Sequence, residues 1–187
     1  MDIMHDKAGY YICWGCLVWV PSVYVVHSYY ISQQILAHTY TDMETWYAVA
    51  VAIVGILSIW VNYDIDLQRQ YVRATDAKCL VWGQPAKIIR AKYSVEGSKD
   101  QKSSILLMSG WWGVARHFHY VPELLAALCW SLPAGSNHFL PYFYFFFLLI
   151  LLVDRAYRDD VKCAQKYGSY WTEYCKAVPY KIIPGVL

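Results

Sequence analysis

Charge is the scarcest ingredient of this chain. Only 16% of its 187 residues are Asp, Glu, Lys or Arg, where soluble domains use about 25%. So little polar surface excludes an ordinary soluble domain and a solvated, disordered chain alike. The net charge is +2 and no basic stretch resembles a nucleic-acid-binding arm, which excludes nucleic acid as a partner. Internal repeats are lacking, and the one biased tract is a Phe/Leu run near Phe145. A cleavable leader is not expected either. The apolar run after Ala8 is too long for a signal core and has no small-residue cleavage site, so the first apolar segment is expected to act as its own insertion signal.

Cysteine and histidine chemistry is equally thin. There are six cysteines. Cys13 and Cys16 have redox-motif spacing but lie in an apolar run with no βαβ pattern, so packing is the better reading. Cys79, Cys129, Cys163 and Cys175 show no ligand spacing. His117 and His119 are two residues apart, so on a helix they would not share a face. No metal site is expected.

What the chain has instead is apolar and aromatic. Hydrophobic residues make up 58%, with 18 Tyr and 9 Trp. Such rings favour the water–lipid interface, and a multi-pass membrane protein is the natural class. Residues 9–31 carry no charge and are long enough to span at about 20 residues, with Pro21 expected to kink them. Residues 45–63 form a second span, where Gly55 permits close helix packing. The sequence DIDLQRQYVRA then continues that helix out of the membrane, Thr75, Asp76 and Ala77 make a turn, and residues 79–95 alternate like short strands. EGSKDQKSS, residues 96–104, reads as an exposed loop. Residues 121–153 make a helical hairpin reversed by PAGSN (133–137), each arm short for a full span. The expected fold is therefore all-α: a multi-pass transmembrane helical bundle with a short cytoplasmic extended excursion.

Charge orients it. Nine Lys/Arg face five Asp/Glu in residues 64–120, and six face four in residues 154–187. Both segments are expected on the cytoplasmic side, the loop 64–120 and the tail 154–187 meeting above the hairpin. Three polar clusters border the membrane on that side: Asp64, Asp66, Arg69 and Arg73; Trp111, Trp112, Arg116, His117, His119 and Tyr120; Arg155, Arg158, Asp159, Lys166, Tyr167, Trp171 and Tyr174. An aromatic belt with snorkelling arginines accounts for any one of them. All three together suit a nucleotide cofactor, with guanidinium for phosphate and indole or phenol for the adenine face. Arg69 and Arg73, at i and i+4, share a helix face and can grip one anion.

The segment RAYRDDVKCAQKYGSYWTEY closely resembles the C-terminal signature of the sterol reductase family. LMSGWWGVARHFHYVPE and TDAKCLVWGQPAK match as well, and the resemblance runs from Asp2 to Leu187. HFHY and the ending AVPYKIIPGVL resemble the Δ7-sterol (7-dehydrocholesterol) reductase branch; C14-reductase and lamin B receptor relatives usually read HPNY in place of HFHY. The resemblance implies a multi-pass membrane enzyme that reduces a sterol C=C bond with NADPH, its cofactor pocket in the C-terminal helices. It implies that Arg69 holds the adenosine-side phosphate, that Trp112 and Tyr174 line the nucleotide, and that Arg116, Arg155 and Asp159 bind or order it. Arg73, Tyr120, Arg158 and Tyr167 complete the expected cofactor set, and Asp159, His119 and Tyr174 are the candidate proton donors. Two departures stand out: Ile65 occupies a place where many relatives have a phosphate-binding lysine, and Tyr170 replaces Asp or Asn.

The expected function is thus the NADPH-binding, C-terminal half of a Δ7-sterol reductase, spanning residues 1–187. The family's N-terminal half, with much of the sterol pocket, is expected to be supplied separately or lost. The implied partners are a sterol and the lipid bilayer, in the endoplasmic reticulum of a eukaryote or the inner membrane of a bacterium. Two alternatives are a methyltransferase using S-adenosylmethionine on a prenylated cysteine, and a non-catalytic membrane scaffold.

Overall fold

The structure, a computed structural model, describes residues 13–94 and 101–186. Residues 9–12 of the expected first span and 96–100 of the expected loop lie outside them. A π-helical segment, Gly15–Tyr24, runs through Pro21 and ends at Val25, and α1 (Val26–Leu36) follows. The expected single span 9–31 is thus two helices, and the second runs past Ile31. The break falls at Val25, one helical turn beyond Pro21. Trp19 packs on Phe147 at 4.5 Å and Tyr24 on Tyr144 at 4.9 Å, between ring centroids.

The long helix α2 (Thr45–Ala74) is apolar enough to cross a membrane over its first part. It continues without a break through the DIDLQRQYVRA sequence, as its charge pattern implied. It stops at Thr75, where Asp76 and Ala77 take positive φ of 50° and 63°, confirming the expected turn. Two antiparallel hairpins follow: β1 (Leu80–Val81) with β2 (Gln84–Pro85), and β3 (Ile88–Ser94) with β4 (Gln101–Leu107). In the second, Ile88 pairs with Leu107 and Tyr93 with Lys102. The extended excursion expected at 79–95 is thus present as paired strands, and the all-α expectation is corrected only in part: the described residues are mostly helical with two small sheets. Residues 101–104, expected in an exposed loop, are strand, because pairing with Ala91–Ser94 satisfies their backbone groups whatever their polarity.

A four-residue helix, α3 (Trp111–Val114), leads through a turn at residues 116–119 into α4 (Tyr120–Ser131). Short 3-10 turns at Leu132–Ala134 and Leu140–Tyr142 carry the reversal, with Gly135 at φ 72°. Then α5 (Phe143–Tyr167) runs through the apolar tract and the charged block as one helix, and α6 (Ser169–Ala177) follows at Gly168. Within the expected hairpin 121–153, the two arms are helical and share one buried cluster, with the chain turning between them. At 12 residues, α4 is about 18 Å long, short of a hydrocarbon core of about 30 Å.

Small residues let α2 and α4 meet. A Cβ on Gly55 would lie 3.4 Å from that of Cys129, so the two backbones approach closely there. Ala127 on α4 packs with Leu148, Leu152 and Ala156 on α5. Ile65 and Val72 on α2 pack with Val81, Leu107 and Trp112. Ile89 packs with Trp171, Tyr174 and Val178. The second and third of these clusters flank a cavity at the end of α2.

Candidate functional site

The cavity has a volume of about 300 Å³ and draws its lining from α2, β4, α3, the 116–119 turn, the start of α4, α5 and α6. Of the residues singled out from sequence, Arg69, Arg73, Trp112, Arg116 and Tyr120 line it from the first two clusters. Arg155, Asp159, Tyr167 and Tyr174 line it from the third, and His119 from the turn. Arg158 is not among them. It lies on the exposed flank of α5, paired one turn back with Asp154 at 2.7 Å. The basic loop and the tail thus do meet around one space.

Trp112 is fixed by its neighbours in sequence and in space. Gly110 adopts φ 64°, ψ −143°, which only glycine takes readily, and any Cβ there would strike the Gln68 side chain at 2.2 Å. The Gln68 side-chain Oε1 accepts the Trp111 backbone N–H at 3.0 Å. The Trp111 indole donates to Asp64 at 2.7 Å, and the Trp112 indole to the Ile65 carbonyl at 3.1 Å. Three hydrogen bonds between α2 and α3 therefore fix the Trp112 indole at the cavity. Over it lies the Arg69 guanidinium, 4.7 Å from the ring centroid and 3.3 Å from Asp66. Ile65, where the resemblance expects a lysine, is buried beneath Trp112 and supplies packing. Arg69, one turn on, and the exposed Arg73 supply the charge.

Arg116 is 5% exposed. It donates to the Val178 and Pro179 carbonyls at 2.8 and 3.2 Å and pairs with Asp160 at 3.6 Å. Asp160 also receives Lys181 at 3.2 Å and the Trp171 indole N–H at 3.2 Å. Backbone bonds from Arg116 to Tyr180 and from His117 to Lys181 tie the chain end to the turn. Asp160 is thus a hub that sequence reasoning left out of the site. The adjacent acids at 159 and 160 were the only signal available.

The histidines correct another expectation. Residues 116–119 form a turn, not a helix, so the spacing argument against a shared face does not apply. Both rings line the cavity, with centroids 6.0 Å apart. His117 stacks on Tyr120 at 5.2 Å and approaches Asp159 at 3.7 Å. Burial holds its pKa below the usual histidine value, against the pull of the Asp159 carboxylate. Burial, reinforced by the positive field of His117, Arg69 and Arg155, pushes His119 down to about 3. Burial raises the Tyr174 hydroxyl, with Arg116 and Arg69 pulling the other way, and that hydroxyl reaches the Trp112 carbonyl at 3.5 Å. Among the described residues, three buried side-chain atoms lack a hydrogen-bond partner: Arg116 Nε, His117 Nε2 and His119 Nδ1. All three belong to residues lining this one cavity.

A buried polar atom without a hydrogen-bond partner costs free energy. Three on residues that line one space, beside Arg69, Arg73 and Arg155, fit a polar, anionic ligand with flat rings. A phosphorylated dinucleotide is such a molecule: guanidinium suits phosphate, and indole and phenol faces suit its heterocycles.

A model of the ergosterol biosynthesis ERG4/ERG24 family matches residues 1–187. Over 187 residues the chain is 54% identical to a 7-dehydrocholesterol reductase of Arabidopsis thaliana, covering 100% of this chain and 42% of that protein. It is 38% identical to a 7-dehydrocholesterol reductase of Xenopus laevis, covering 100% and 38%. It is also 38% identical to a Delta(14)-sterol reductase of Methylotuvimicrobium alcaliphilum, covering 99% and 40%. The chain therefore spans about two-fifths of the length of these curated relatives. None of the three is a methyltransferase or a scaffold by name.

Proposed function

This chain belongs to the ergosterol biosynthesis ERG4/ERG24 family, and from that premise we propose that it is the NADPH-binding part of a membrane enzyme that reduces a sterol C=C bond. The bond is the Δ7 bond, as in 7-dehydrocholesterol, and the enzyme is a multi-pass bundle of the endoplasmic reticulum, or of the inner membrane in a bacterium. Residues 64–120 and 154–187 form its cytoplasmic face, and a separate N-terminal part completes the sterol pocket. The observation that carries this reading is the cavity itself, where guanidiniums at the rim meet an indole, phenols and two unprotonated imidazoles within. S-adenosylmethionine has a sulfonium, an ammonium and no phosphate, and suits that charge poorly.

NADPH, when bound, supplies a hydride to one alkene carbon. The residues of this chain do the rest. Arg69, held flat on Trp112, and Arg73 one turn on take the adenosine-side phosphate. Arg155 and the immobilised Arg116 add positive charge further along. Trp112 and Tyr174 line the flat rings. An alkene with no electron-withdrawing group accepts hydride poorly, so protonation of the second carbon leads or accompanies the transfer. We assign that proton to the Tyr174 oxygen, which burial keeps protonated at rest. The same Arg116 and Arg69 that oppose the burial effect stabilise the phenolate left behind. His119 stays neutral and Asp159 lies half exposed at the rim, which makes both less suited to donate.

Two experiments test this. NADPH should quench the intrinsic tryptophan fluorescence of the purified chain saturably, and S-adenosylmethionine should not; the reverse preference removes the reading. Co-expressed with the N-terminal part of the Arabidopsis relative, the chain should convert 7-dehydrocholesterol to cholesterol, and Tyr174→Phe should abolish turnover while NADPH binding persists. A Δ14 product instead would correct the bond.

A further inference from the structure

The β1–β2 hairpin contributes nothing to the cavity lining, and its turn is built against local preference. Two residues join Val81 to Gln84, and both have positive φ: 51° at Trp82 and 77° at Gly83. Glycine suits that geometry. Asn, Asp or Gly is favoured at the first position, and a bulky residue there is an outlier. The indole gains little burial in return. Trp82 is 60% exposed, touching Trp111 edge-on at 5.1 Å, and Leu80, two residues earlier, is 64% exposed.

A chain of contacts fixes the height of this tip. Trp82 rests on Trp111, and the Trp111 indole donates to Asp64 at 2.7 Å. Asp64 is the first charge after the uncharged stretch 45–63 of α2. Trp60 and Tyr63 stand out from that helix at the same end, and Trp46 at the other. From Trp46 to Tyr63 the helix rises about 26 Å, close to the hydrocarbon thickness of about 30 Å. Tryptophan and tyrosine concentrate at the two interfaces of such a span. The turn therefore lies level with its end. Lys78 and Lys87 flank the hairpin, both exposed, with the sign that anionic headgroups attract.

We propose that the β1–β2 turn is an interfacial anchor, seating Leu80 and Trp82 in the headgroup layer of the bilayer with Lys78 and Lys87 over lipid phosphates. The proposal rests on residues 45–63 being a membrane span. Its occupant is a lipid surface. The anchor tethers the cavity wall, because Val81 between the two exposed residues packs in one buried cluster with Ile65, Val72 and Trp112.

The test uses nitroxide labels in lipid nanodiscs containing anionic lipid, with the native cysteines replaced. Leu80→Cys is compared with Ile56→Cys in mid-span and Lys92→Cys on β3, by collision with oxygen, which partitions into lipid, and with a water-soluble nickel chelate. The label at 80 should fall between the other two, with nickel access several-fold below that at 92. Adding Trp82→Asn should move it toward the value at 92. Nickel access at 80 equal to that at 92 overturns the anchor, as does a label shielded from both reagents, which would mean that protein covers the turn. Free nickel access at 56 removes the span and the anchor together, and is distinguishable from failure of the anchor alone. In detergent, Trp82→Asn should keep or raise the thermal midpoint, since Asn tolerates this backbone; a clear loss there would make the indole a packing residue and sink the idea.

Discussion

His119 shows how strongly a single side chain here depends on its surroundings. Its ring packs against Trp112 and Tyr120, and its folded pKa of about 3 lies below the ordinary histidine value of about 6.5. Acid therefore protonates the unfolded chain first. Stability is greatest above pH 6.5 and falls as the pH drops toward the folded value. His117, displaced in the same direction, adds to the effect. Thermal midpoints in detergent should decline from about pH 6.5 to pH 4, and His119→Gln, which takes no proton, should shrink that decline. An unchanged slope would mean that the ring is solvated. Arg69 makes a different prediction. A guanidinium paired with the 2′-phosphate is worth about 1.5–3 kcal/mol. Arg69→Ala should therefore weaken NADPH about tenfold or more while leaving NADH nearly untouched, as read by titration. Equal losses for both cofactors would deny Arg69 that role.

Elements carry the next set of consequences. A Cβ on Gly113 would sit 2.7 Å from the Met108 carbonyl oxygen, an atom of the backbone that cannot swing aside. Gly113→Ala should shift α3, displace Trp112 and cost about 1–3 kcal/mol, together with most NADPH affinity. Gly55→Leu should instead prise α2 from α4 and lower the thermal midpoint with little change in cofactor affinity until the protein unfolds. These elements were largely legible in the sequence. The uncharged run of α2, its polar continuation, the turn at Thr75–Ala77 and the PAGSN reversal follow from local composition and turn chemistry. Gln101–Ser104 did not, because a polar stretch becomes strand only through its partner, Ala91–Ser94. The two histidines misled because i, i+2 reasoning presupposes a helix, and Ala115 is extended before the 116–119 turn. Asp160 was visible as a residue but not as a hub. Arg116, one of its partners, lies 44 positions earlier in the chain, and only the packing of the 178–182 segment brings them together.

At the scale of the molecule, the basic loop and the tail enclose one cavity, which the balance of cations in each segment anticipated. Cysteines placed at Lys92 and Val186 in a cysteine-free background should label from the same side of the membrane; labelling from opposite sides would remove the 121–153 hairpin as a reversal. A sterol needs apolar walls on several sides, and this chain spans about two-fifths of its relatives. The purified chain should therefore bind NADPH yet form no cholesterol from 7-dehydrocholesterol, by mass spectrometry. Product at a rate comparable to a full-length relative would show that the remaining three-fifths are dispensable for chemistry.

The unbroken run of α5 from Phe143 to Tyr167 has one more effect. Arg155, Asp159 and Cys163 stand on the same rigid rod as Leu148 and Leu152, and Arg69 stands on α2 in the same way beyond its apolar half. A helix whose apolar length does not match the local hydrocarbon thickness adjusts by tilting. Thinner or thicker lipid would then swing the polar ends of the two rods relative to each other, opening or narrowing the gap between Arg69 and Arg155. The acyl-chain length of the host membrane becomes a tuning variable for cofactor affinity. Dissociation constants measured across a series of phosphatidylcholine chain lengths should pass through an optimum.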